Sequence, residues 1–82
     1  MPEQSLYELA DEFINKANEL GQQWSTTRIS AAMLYATARF NAYNYFTVED
    51  SPSAEHGLEY FSEQYKTMLK EHLDFFEKEM KK

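Results

Sequence analysis

The chain has 82 residues, a formal net charge of −6 and no cysteine. A chain of this length forms one domain, predicted to span residues 1–82, which buries only about 60–65% of its unfolded surface. The acidic charge argues against the concentrated basic surface that a phosphate backbone requires, so we expect no nucleic-acid partner. Two glycines and two prolines leave few turns, and this predicts long helices with short connections.

The first predicted helix runs from about Ser5 to Leu20. Ser5 and Glu8 have the spacing of a capping box, and Gly21 is the expected stop. Apolar residues recur at helical spacing and predict one apolar face, made of Leu6, Leu9, Ala10, Phe13, Ile14, Ala17 and Leu20. The acidic segment before and within this helix lacks the continuous apolar run of a signal peptide, so the expected compartment is the cytoplasm.

The second predicted helix follows the loop GQQWSTT, has Ser25 or Thr26 as its cap, and runs to about Phe46. Most of its circumference is apolar or aromatic, so we expect a central helix that contacts both neighbours. Arg39 and several polar side chains in it argue against a lone membrane span, and no membrane association is expected. Its polar residues form one stripe predicted to face solvent: Ser30, Thr37, Asn41 and Asn44.

The third predicted helix has Ser51 as its cap and Pro52 in its first position, and it ends near Met80. Its roughly 28 residues would reach about 42 Å, against about 30 Å for the second helix. Heptad spacing along it is typical of a helical bundle, through Ala54, Leu58, Phe61, Tyr65, Met68, His72, Phe75 and Glu79. The sequence therefore predicts an all-α fold: a compact antiparallel three-helix bundle with a long third helix.

Two segments carry a family resemblance. SAAMLYATARFNAYNYF, residues 30–46, and EYFSEQYKTMLKEHLDFFE, residues 59–77, resemble DUF3144, a family of small bacterial proteins of unknown function. The resemblance covers roughly residues 5 to 78. It implies a compact helical domain of bacterial origin. Because the family has no established activity, the resemblance assigns no catalytic residue to this chain.

No motif for catalysis or metal binding is visible. His56 and His72 lie sixteen residues apart on the third predicted helix, on nearly opposite faces, so they cannot share one ion. The Glu-x-x-His pairs of di-iron bundles are absent. No serine lies in a Gly-x-Ser-x-Gly turn, and two glycines cannot build a phosphate-binding loop. We therefore predict no metal site, no cofactor and no catalytic residue, and we do not expect an enzyme.

Arg39 is the one charged residue in the middle of an aromatic, alanine-rich segment. One interpretation is a structural ion pair with Asp11 or Glu59, because a buried guanidinium needs an acidic partner. The other is an anion pocket in which tyrosine hydroxyls surround the arginine. The candidate ligand-binding residues on this face are Arg39, Tyr35, Tyr43 and Arg28.

The end of the third helix is predicted to project past the bundle, with aromatic side chains exposed. Such surfaces usually mark a partner, and a two-fold symmetric dimer is the commonest arrangement. The candidate interface residues are Trp24, Phe75, Phe76 and Met80.

The leading hypothesis is a small non-catalytic interaction or oligomerisation module that forms a homodimer or binds another protein. The alternative is a small-molecule binding protein for anionic ligands.

Overall fold

The structure, a computed structural model, describes residues 5–81. These residues form three α-helices: α1 (Leu6–Leu20), α2 (Thr26–Val48) and α3 (Ala54–Met80). No strand occurs within this range, so the predicted all-α class is confirmed. The chain divides into two compact units, the first ending at Arg39 and the second beginning at Phe40. The division falls within α2, which therefore contributes to both units.

In the first unit, each helix begins next to a serine whose side chain accepts a hydrogen bond from a backbone N–H three residues later. Ser5 Oγ accepts a hydrogen bond from the backbone N–H of Glu8 at 3.1 Å, and Glu8 Oε1 accepts one from the N–H of Ser5 at 3.4 Å. This confirms the predicted capping box. Gly21 ends α1, as predicted. Ser25 caps α2, since its Oγ accepts from the N–H of Arg28 at 3.2 Å.

The start of α3 differs from the prediction. Ser53, and not Ser51, is its N-cap: Ser53 Oγ accepts from the N–H of His56 at 3.3 Å. Pro52 therefore precedes the helix. The phenolic oxygen of Tyr45 accepts from the N–H of Ser53 at 3.4 Å, and this contact from another helix fixes the cap at a position that the local sequence does not reveal.

The second unit is organised around Tyr45, whose side chain is only 7% exposed. Its ring makes edge-to-face contacts with Phe46 and Phe61, at centroid distances of 5.4 and 6.2 Å. Gly57 provides the space for this ring, because a Cβ atom at residue 57 would lie 2.9 Å from Tyr45 Cε2. The absence of a side chain at Gly57 therefore allows α2 and α3 to approach closely.

The least exposed residues of α2 are separated by steps of four, eight and four residues: Ile29, Met33, Asn41 and Tyr45. Such a row forms one ridge of a helix surface. The predicted solvent-facing stripe is wrong at Asn41, which is half-buried on this ridge, whereas Ser30, Thr37 and Asn44 are exposed. Asn41 lies one turn before the buried Tyr45 on the same face of the helix.

We expect Gly57→Ala to destabilise the protein, although alanine normally favours a helix over glycine by roughly 1 kcal/mol. The added methyl group meets the Tyr45 ring, and overpacking of this kind costs about 1–3 kcal/mol. Urea unfolding followed by circular dichroism measures the change. In a Tyr45→Ala background the same substitution should be neutral or stabilising. A more stable Gly57→Ala single variant would contradict the close packing.

Candidate functional site

An apolar groove of about 410 Å³ lies between α1 and α2 in the first unit. Its lining comes from the end of α1, the connecting turn and the first half of α2: Lys16, Ala17, Leu20, Trp24, Arg28, Ile29, Ala32, Met33 and Ala36. The volume falls within the range of roughly 300–1,000 Å³ that is usual for binding pockets. The three alanines leave room for large side chains from an occupant.

The charged residues in this lining are both cationic. The Arg28 guanidinium lies 5.3 Å from the centroid of the Trp24 ring, a cation–π arrangement. Lys16 Nζ lies 3.7 Å from Glu19 Oε1 in an exposed ion pair, and such pairs are weak enough to exchange for another partner. The groove therefore suits an occupant that is apolar along its centre and negatively charged at its edges.

Arg39 does not line this groove. Its side chain is exposed, and the exposed fractions of Tyr35 and Tyr43 are 71% and 73%. The ion pairs within residues 5–81 join Lys16 to Glu19, Lys70 to Asp74 and Lys81 to Glu77. Within that range Arg39 shows neither the burial nor the carboxylate partner that a structural ion pair requires. Of the four predicted ligand-binding residues, Arg28 is the one that the groove contains.

The predicted interface residues are all accessible to a partner. Trp24 lines the groove and is about half exposed. The Phe75 and Phe76 rings meet edge to face at 5.1 Å and are also about half exposed, and Met80 is 79% exposed. The structure thus brings Trp24 together with Arg28, and Phe75 together with Phe76.

Sequence analysis did not predict how widely the apolar side chains are exposed. Tyr45 is the one buried hydrophobic residue within residues 5–81. Side chains on the apolar faces predicted for α1 and α3 are instead exposed, among them Leu9, Phe13, Ile14, Leu58, Tyr65 and Met68. Periodicity shows which face of a helix is apolar, but it does not show what covers that face.

Neither a metal centre nor a membrane span is evident in the described part of the chain. Within residues 5–81, no three His, Cys, Asp or Glu side chains form a group that could hold a metal ion. Of the described helices, none has the combined length and apolar character needed to cross a bilayer. His56 and His72 are both exposed on α3.

The family model described as "Protein of unknown function (DUF3144)" matches residues 6–76, which is most of the chain. The chain belongs to the DUF3144 family. This confirms the resemblance carried by residues 30–46 and 59–77. No curated protein and no solved structure matches the chain. The family description names no activity.

We expect Arg39→Ala to change the free energy of unfolding by no more than about 0.5 kcal/mol, because exposed side chains away from special contacts contribute little. Breaking a buried ion pair would instead cost about 3–5 kcal/mol. Urea unfolding measures the difference. Arg28→Ala is the matched comparison, and it should lose about 0.5–1 kcal/mol of cation–π stabilisation. A loss of several kcal/mol at Arg39 would contradict its exposed position.

Proposed function

We propose that this DUF3144 protein is a small non-catalytic interaction module that acts by associating with further copies of itself. The observation that supports this is the exposure of large apolar side chains on every helix, with Tyr45 as the one buried hydrophobic residue within residues 5–81. Full burial of one such side chain is worth about 1.5–3 kcal/mol. A small domain without disulfides depends on that stabilisation, and a partner can supply it.

The distribution of charge favours a second copy as the partner. α2 carries Arg28 and Arg39 and no carboxylate. α3 has seven carboxylates against three lysines. Two copies can therefore place opposite charges together while they bury apolar faces, and a two-fold homodimer is the commonest form of such an assembly. In this proposal the antiparallel three-helix packing is completed between copies, in the bacterial cytoplasm.

A second candidate function is the binding of a small amphipathic anion. The observation that favours it is the position of Arg28 over Trp24 beside an apolar groove. Decanoate is a suitable probe, with the fluorescence of Trp24 as the readout and Arg28→Gln as the control. A saturable change in the parent protein that is lost in Arg28→Gln would favour ligand binding. A fluorescence change that is not saturable, or that persists in Arg28→Gln, would count against this ligand site.

We expect sedimentation velocity to show self-association that increases from low to high micromolar concentration. Phe76→Glu should shift the protein towards the monomer, because it places a charge in an apolar contact. Thr67→Glu adds the same charge on the opposite face of α3 and should leave the association unchanged. A single monomeric species throughout this range, unaffected by Phe75→Glu or Phe76→Glu, would rule out the proposed function.

A further inference from the structure

We propose that the groove between α1 and α2 is the docking site for the second half of α3 from another copy of this chain. The inference rests on the proposed self-association and names the two surfaces that meet. One surface is the groove, defined by its lining above. The other is the α3 stripe, which we define as Leu69, Leu73, Phe76 and Met80.

The α3 stripe has the spacing and side-chain size expected of a helix that binds in this groove. Its four residues are separated by steps of four, three and four, so they lie on one face of the helix. All four are exposed, from 40% at Leu69 to 79% at Met80. The lining of the groove includes three alanines. Large side chains of one helix pack well against small ones of its neighbours, because the backbones can then approach closely.

The charges of the two surfaces are complementary. Helical spacing places Glu77 and Glu79 on opposite sides of the α3 stripe, with Lys70 on the same side as Glu77, whereas the groove contributes Lys16 and Arg28. Glu77 Oε2 lies 3.6 Å from Lys81 Nζ in an exposed ion pair, which is weak enough to be exchanged on docking. α2 has no carboxylate, so the like charge that the groove presents to an acidic helix comes from α1 alone, which carries four carboxylates against one lysine.

A second copy fits this role because each chain carries both surfaces. Two copies can exchange their α3 stripes across a two-fold axis, so that both grooves and both stripes are filled by two identical contacts. Such a pair is closed and leaves neither surface free for a third copy. The charge pattern also selects the occupant, since a basic helix would be repelled by the cationic groove.

Cysteine cross-linking can test the contact directly, because the chain has no cysteine of its own. Ala32→Cys places a thiol in the groove and Leu73→Cys places one in the α3 stripe. Glu71→Cys lies on the opposite face of α3 and is the matched control. Each variant is purified separately, and one partner of each pair carries a mass tag. The pairs are then mixed and treated with a short bismaleimide.

We expect Ala32→Cys and Leu73→Cys to cross-link to each other at least tenfold more than Ala32→Cys and Glu71→Cys. A dimer in sedimentation without this preference would overturn the docking site and leave self-association standing. If the double variant Ala32→Cys/Leu73→Cys forms a cross-linked monomer while the mixture gives no product, the chain's own α3 fills the groove and the inference is wrong. If the protein sediments as a monomer and neither the mixture nor the double variant gives a cross-linked product, both the docking site and the proposed self-association are wrong.

Charge reversal provides a second readout, with Arg28→Gln as the control for loss of the Arg28 contact with the Trp24 ring. Arg28→Glu should raise the dissociation constant of the dimer at least tenfold, because it sets a carboxylate against the acidic sides of the α3 stripe. Arg39→Glu makes the same change elsewhere on α2 and should have little effect. Circular dichroism checks that both variants keep their helices. Equal weakening by the two substitutions would contradict docking at the groove.

Discussion

The contact between Tyr45 and Gly57 is the constraint on which the second unit depends. The Tyr45 ring fills space that exists because residue 57 has no Cβ atom, and its hydroxyl accepts the N–H of Ser53 at 3.4 Å. One side chain therefore sets both how closely α2 and α3 approach and where α3 begins. The rest of α3 has no buried residue after Gly57, so its apolar face is available for another contact.

The helix caps that could be predicted from the sequence depend on local contacts. The capping box of Ser5 and Glu8 and the cap at Ser25 involve hydrogen bonds between residues three apart, so each follows from neighbouring residues alone. The start of α3 was predicted at the wrong residue, because the cap at Ser53 also depends on Tyr45, eight residues earlier. The local sequence pattern therefore predicts that the helices form. The exact start of α3 depends on a contact with α2, which the local pattern does not show.

The two arginines of α2 show the same limit at the candidate site. Arg28 and Arg39 lie within about 20° of each other around the helix axis and both are exposed, yet Arg28 lies over Trp24 in the groove and Arg39 does not line it. The pairing of Arg28 with Trp24 joins residues four apart and could have been predicted from spacing. The groove could not, because it requires the turn between α1 and α2 to bring Trp24 beside both helices.

Charge and apolar surface have separate roles in the proposed assembly. A net charge of −6 makes two copies repel each other in most orientations. The orientation that sets the cationic α2 against the acidic α3 reduces this repulsion and brings the α3 stripe to the groove at the same time. Burial of apolar side chains then supplies affinity, while charge restricts that affinity to one arrangement. A chain with many exposed apolar groups can thereby associate with other copies of itself and avoid non-specific aggregation.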